Sequence, residues 1–214
     1  MKTKNIYIYG AGPSGLEILE LIKIINYKAK AKLWNIKGFI DTDKKLIGKK
    51  IKSINVFNQS KINKNNSDFA ICSITNPKLK NKVLNNIKKK FKLANLIHPN
   101  IEIPDDLVLG NGNVIFSNVH LSFKLKIKDN CFIGYGCDIG HDTKIGNSCS
   151  IMPGTIINGN VNIGDNCLIG SSALLSVGVK IGKNCKIGSG TNIFNNIKSN
   201  LNVFEVPRLM KQKN

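Results

Sequence analysis

Few residues in this chain are suited to moving a proton. There are three histidines, and only His141 has an acidic neighbour, Asp142, in the run Gly140-His141-Asp142-Thr143-Lys144-Ile145-Gly146. An imidazole titrates near neutrality and accepts the proton of an attacking amine or hydroxyl. A carboxylate beside it orients or polarises the ring. An ordinary surface histidine is the other reading of His141, and residue types alone leave both open. His98 precedes Pro99 and reads as structural; His120 has no polar motif around it and reads as a surface or interface residue. No serine or cysteine sits in an activated setting, so any transfer here is expected to be a direct attack without an acyl-enzyme. A second group of residues is Gly10-Ala11-Gly12-Pro13-Ser14-Gly15, followed by Asp41 at the end of a later strand pattern. Glycines at that spacing, between a strand and a helix, let a backbone cradle phosphate.

These residues need elements to position them, and the C-terminal half supplies a repeat. Stepping by six from Ile97 gives Ile103, Leu109, Ile115, Leu121, Ile127, Ile133, Ile139, Ile145, Ile151, Ile157, Ile163, Ile169, Leu175, Ile181, Ile187 and Ile193, all aliphatic and in one phase. A second column, four residues after each, reads Cys131, Cys137, Thr143, Cys149, Thr155, Val161, Cys167, Ala173, Val179, Cys185, Thr191 and Ile197. Period six is neither helical nor a plain strand alternation. It fits a coil of three short strands with eighteen residues per turn, each strand sending one aliphatic inward and stacking on its copies. The seventeen positions make a little under six coils, a prism about 27 Å tall at about 4.8 Å per coil. Small residues in the second column fit a tight interior, and the glycine that often follows the aliphatic is expected to free the backbone at the bends. Five of the six cysteines fall in the small column and read as buried apolar residues. Cys72 lies in the strand-like run 69–74 and reads as core.

With eighteen residues per turn, Gly159 stacks above His141 in an outward column of Phe123, His141, Gly159, Val177 and Asn195. A glycine there leaves room for an extended arm beside the imidazole and bares a backbone N–H. A base beside a backbone donor is the pairing acyl transfer needs. No two histidines share a column, which argues against a three-histidine zinc site.

The N-terminal half reads as a small α/β unit of about 95 residues. Strand patterns cover 4–9, 33–41 and 69–74, with helix patterns from Leu16 and over 77–91. The boundaries expected are a Rossmann-like unit over 1–96, a β-helix over 97–198 and a tail over 199–214. For the glycine loop three readings stand open: a nucleotide-sugar, a dinucleotide, or a tight turn without ligand. Only half of a dinucleotide fold fits before Ile97.

The formal charge is +19. The excess is lysine spread along the chain, and Arg208 is the only arginine. Nucleic-acid binders concentrate arginine and exposed aromatics on one face, so no nucleic-acid partner is expected. No apolar run reaches the roughly 18 residues of a membrane span, and the N-terminus carries no signal-peptide pattern, which places the protein in the cytoplasm.

Taken together, the glycine loop at Gly10–Gly15, Gly38-Phe39-Ile40-Asp41, His98-Pro99, Gly140–Gly146, Met152-Pro153-Gly154 and Asn158-Gly159-Asn160-Val161 resemble the hexapeptide-repeat sugar acetyltransferases. These include the sialic-acid O-acetyltransferases and the bacillosamine-type N-acetyltransferases of UDP-4-amino-sugars. The resemblance implies a left-handed β-helix, a homotrimer, and acetyl-CoA as co-substrate with no metal. It implies His141 as base with Asp142 beside it, acetyl-CoA contacts at Gly159, Ser150, Val177 and Pro207, and sugar-nucleotide contacts at Gly10, Gly12, Ser14, Gly15 and Asp41. N-acetylation of a nucleotide-linked amino-sugar for a surface glycan is the activity expected. O-acetylation of a sugar such as sialic acid, or a non-catalytic homologue, are the alternatives.

Overall fold

A computed structural model describes residues 3–62 and 67–204. The N-terminal unit runs β1 (Lys4–Tyr9), α1 (Pro13–Lys28), β2 (Trp34–Asp41), β3 (Lys50–Ile51), β4 (Ile54–Asn58), β5 (Phe69–Cys72), α2 (Pro77–Lys90) and β6 (Lys92–Leu93). The strands form one sheet in the order β3-β4-β2-β1-β5-β6. Every pairing is parallel except the hairpin β3–β4. Side chains alternate along β1. Ile6 and Ile8 pack with Ile18, Leu19 and Ile22 of α1; Tyr9 packs with Leu84 and Ile87 of α2 on the other face. The chain leaves β1 toward β2 on one side and later returns to β5 on the other. That reversal opens a crevice at the carboxyl end of β1.

Residues 96–203 form a left-handed parallel β-helix. Its faces hold seven, five and five two-residue strands, and neighbours in each face are eighteen residues apart until the last coil. The seven-stranded face, from Leu96–Ile97 to Asn202–Val203, carries the N-terminal unit. Leu96, Val114, Phe116 and Phe132 share one buried cluster with α1 and β1.

Three details of the repeat differ from the sequence expectation. First, the left-handed bend residues are not the glycines after each aliphatic. They are the residues two further on: fourteen consecutive hexads, from Gly112 (φ 77) through Asp142 (φ 56) to Gly190 (φ 69), place one there. Most are Gly, Asn, Ser or Asp, the types that tolerate this conformation. The glycines after the aliphatics serve close approach instead. A Cβ on Gly140 would lie 2.6 Å from the Gly159 nitrogen one coil above, and one on Gly170 would lie 2.4 Å from that of Ser189. Second, Ile103 is 53% exposed and belongs to no strand. Pro99 and Pro104 flank it and offer no N–H, and Ile101 and Leu107 pack against the core in its place. Third, the last coil has sixteen residues: Ile181 bridges Ile197, and Lys186 pairs with Asn202. Ile197 therefore continues the aliphatic column rather than the small one.

The small column does more than save space. Cys131, Cys149 and Cys167 send their thiols to the carbonyls of Gly146, Gly164 and Gly182 at 3.1, 3.1 and 3.0 Å. Thr143 and Thr155 do the same to Asn158 and Gly170. Corner carbonyls inside the prism thus find donors, which removes the penalty of burying them unpaired.

Lys80 of α2 joins the two units. It is 1% exposed, and its ammonium donates to Ser150 Oγ (2.8 Å), Asn130 O (3.2 Å) and Cys149 O (3.2 Å). None of these acceptors carries a full charge, and burial holds the ammonium below the usual lysine value of 10.5. Between the folded value and 10.5 the unfolded chain binds more protons than the folded one, so stability rises with pH across that interval. Thermal unfolding of wild type and Lys80→Met should show wild type gaining on the variant as pH approaches 10.5; parallel curves would refute the depressed ammonium.

Candidate active site

His141 sits at a corner of the prism, between the strands Asp138–Ile139 and Lys144–Ile145. This corner lies opposite the seven-stranded face that carries the N-terminal unit. The next residue, Asp142, is the left-handed bend, and its Oδ2 lies 2.9 Å from His141 Nδ1. A carboxylate at Nδ1 favours the tautomer with the proton there, leaving Nε2 as the basic nitrogen. The imidazole is held on both faces. Phe123, one coil below, stacks on it with ring centroids 5.3 Å apart and planes at 10°. Gly159, one coil above, closes the other side: a Cβ there would come within 2.5 Å of Nε2 and 2.7 Å of Cε1. The ring lies in a slot two coils wide, and its side chain is still 45% exposed. Among the described residues no group accepts from the Gly159 N–H. Val177, 66% exposed, continues the column away from His141. Near the end of that column, on the adjoining face, an open cleft of about 530 Å³ is lined by Lys180, Lys198, Asn196 and Ser199.

Two expected acetyl-CoA contacts are not brought to this corner. Ser150 is fully buried on the seven-stranded face, and its hydroxyl is occupied by Lys80. It has no accessible atom to offer a ligand and is corrected to an inter-unit contact. Pro207 lies outside the described residues. One pairing escaped the sequence reading: His120 Nδ1 lies 2.8 Å from Asp138 Oδ1, exposed and one coil apart. Their spacing of eighteen was the available signal.

The second site is the crevice at the end of β1, a cleft of about 360 Å³. Gly10, Gly12, Ser14, Gly15 and Asp41 line one wall, and Ser73, Thr75, Asn76, Leu79 and Val83 line the other. Gly10 is left-handed (φ 100), and a Cβ there would strike Ser73 Oγ at 2.3 Å. Gly15 packs α1 against the loop: a Cβ would lie 2.1 Å from Gly10 O. Helix α1 starts at Gly12 with no side-chain cap, so its first N–H groups are free for an anion. Asp41 spends its carboxylate on backbone. Oδ2 accepts from Ala11 N–H (2.8 Å), and Oδ1 accepts from Thr42 (2.7 Å) and Asp43 (2.9 Å). It ties the glycine loop to β2. No residue lines both this cleft and the His141 slot.

Comparisons with known proteins find relatives of both parts of the chain. A family model described as the PglD N-terminal domain matches residues 5–87. One described as bacterial transferase hexapeptide (six repeats) matches 124–159, 142–177 and 160–195. The fold is that of the acetyltransferase domain of PglB from Neisseria gonorrhoeae FA1090, with TM-score 0.83, 20% identity, and 95% and 97% of the two chains covered. It is also that of PerB from Caulobacter crescentus, solved in complex with CoA and GDP-perosamine, with TM-score 0.78, 20% identity, and 98% of each chain covered. The redox-sensing transcriptional repressor Rex of Clostridium botulinum is 32% identical over 127 residues, 56% of this chain and 54% of that protein. The chain thus spans about half the length of these curated relatives. Among the described residues no helix is long and apolar enough to cross a membrane.

Proposed function

We propose that this chain, matched over 5–87 by the PglD N-terminal domain model and over its repeats by the bacterial transferase hexapeptide model, is a sugar acetyltransferase that N-acetylates the amino group of a nucleotide-linked amino-sugar with acetyl-CoA, in the cytoplasm and toward a surface glycan. The observation that carries this reading is His141, held by Asp142 in a slot whose far wall is a glycine. His141 Nε2 takes the proton of the sugar amine as it attacks the thioester carbon. The Gly159 N–H donates to the oxyanion that forms there, and the CoA thiolate leaves as the intermediate collapses. The pantetheine arm follows the column past Gly159 and Val177, which brings the phosphates of CoA toward Lys180 and Lys198. The glycine loop and the free N–H groups of α1 take the phosphates of the sugar nucleotide, with Asp41 holding the loop.

The His141 corner and the nucleotide cleft lie on opposite sides of the prism. A cleft of one copy facing the corner of the next, in a homotrimer, brings the two substrates together. The division into a nucleotide-sugar unit over 1–96 and a transferase unit over 97–198 follows the same roles.

The test is to mix the purified chain with acetyl-CoA and a panel of UDP-, dTDP- and GDP-linked amino-sugars plus free sialic acid, and to follow release of CoA thiol. Release with one amino-sugar, and an acetamido product by mass, is the expected result. Release only with hydroxyl acceptors would replace N- by O-acetylation; silence throughout would overturn the reading.

A further inference from the structure

Phe123 is a half-exposed aromatic ring at an outward corner, where most of the repeat carries small or polar residues. Its ring lies parallel to the His141 imidazole, 5.3 Å away at 10°. The Gly159 backbone closes the opposite face of the imidazole, and Asp142 is bonded to its Nδ1. Among the described residues Phe123 is the aromatic ring stacked on the imidazole. We infer that Phe123 is a positioning residue for acyl transfer: it fixes the plane of the His141 ring and stabilises the imidazolium formed as the ring takes the substrate's proton. The inference rests on His141 being the base.

The physical basis is the quadrupole of the phenyl ring, whose negative face attracts a cation above it. A neutral imidazole gains little from this, and an imidazolium gains more. The interaction grows as the proton arrives, so it favours the transition state over the ground state. Geometry sets a second effect. With Phe123 below, Gly159 above and Asp142 at Nδ1, the ring has one plane and one direction in which to present Nε2. Loss of one wall lets the nitrogen wander from the amine it must reach. The charged groups around the ring are few. Its own coil carries Asp138, Asp142 and Lys144; the coil below carries His120, bonded to Asp138, and Lys124 and Lys126 beside Phe123; residues 156–161 of the coil above carry none. Asp142 is the only one of these bonded to the imidazole among the described residues.

The test compares wild type, Phe123→Leu and Phe123→Trp in the full chain. Leucine keeps an apolar cover over the ring and removes the quadrupole; tryptophan restores it. NMR titration of the His141 ring resonances, assigned with His141→Asn, is the primary readout. The sign follows from the cation's stability. Without the quadrupole the imidazolium is less favoured, so the titration midpoint in Phe123→Leu moves to lower pH by about half a unit. Phe123→Trp returns it to the wild-type position or above. In turnover, Phe123→Leu lowers kcat several-fold with KM for acetyl-CoA nearly unchanged, and the acid limb of the kcat/KM profile moves with the NMR midpoint. An unmoved midpoint in Phe123→Leu overturns the inference, whatever the rate does. A moved midpoint with turnover indifferent to His141 keeps the stack and overturns only the assignment of the base, so the two fail separately.

Discussion

His141→Ala is expected to lower kcat for acetyl transfer by about 10²–10⁴, with KM for acetyl-CoA within a few-fold of wild type. The size follows from what the residue does. Among the described residues the groups left at the corner are poor substitutes: Asp142 is a carboxylate and so a weaker base than an imidazole, Phe123 is apolar, and Gly159 offers only backbone. KM is spared because the proposed path of CoA follows the column beyond the ring. Thiol release followed over a range of acetyl-CoA concentrations, from below KM to saturation, measures both terms. The fold should be untouched, since the side chain points outward and joins no buried cluster. Asp142→Asn should fall between wild type and His141→Ala, because an amide can still bond Nδ1 but holds the imidazolium less well. Turnover of His141→Ala within a few-fold of wild type would remove the histidine from the reaction and leave the corner a binding surface.

Gly159→Val should cost about as much by a different route. An added Cβ would stand 2.5 Å from Nε2, 2.7 Å from Cε1 and 3.0 Å from Cδ2 of His141. The ring cannot retreat, since Phe123 lies behind it, so it must turn out of its slot. A displacement of about 1 Å of a reacting group lowers rates by about 10². The valine also blocks the column proposed for the arm of CoA, so KM for acetyl-CoA is expected to rise as well. That joint change separates this variant from His141→Ala. Unfolding temperature is the control. Position 159 faces outward, and the change should leave the prism standing. At Gly140 the same kind of change should damage the fold instead, because its Cβ would meet the backbone of Gly159 at 2.6 Å. Wild-type kinetics in Gly159→Val would show that the imidazole does not occupy this slot during turnover.

Much of this was legible in the residues, for a physical reason. A prism with one inward aliphatic per strand leaves no freedom of phase, so the column from Leu109 to Ile193 could be counted and the stacking of Gly159 on His141 deduced. The role of the repeat glycines was not, because composition does not report φ. Gly140 and Gly170 invite the bend reading, yet the bends belong to Asn130, Asp142, Ser148 and Asn160. Those types were themselves the available clue. Ser150 was expected at acetyl-CoA only through the family resemblance; the structure buries it beneath Lys80, seventy residues away. No local pattern marks one lysine among the many of α2 as the buried one. The hairpin of β3 and β4 was missed because β3 has two residues and β4 five, too little alternation to register. Asp41 was expected to contact the sugar nucleotide; its oxygens accept instead from the backbone of Ala11 in the glycine loop and of Thr42 and Asp43 after β2.

The sixteen-residue last coil has a consequence for how these molecules behave in a crowded solution. A β-helix ends in three open strand edges, each a template on which another molecule's coil could grow. Indefinite end-to-end stacking needs every column of one prism to continue into the next. Here the columns over Ile181 and Ile187 continue to Ile197 and Val203, but Ile197 comes only four residues after Ile193, and Lys198 follows immediately. A regular eighteen-residue coil laid on this layer would not match its shortened corner and would meet a positive charge. The shortened coil makes this layer a poorer template for growth than the regular layers beneath it.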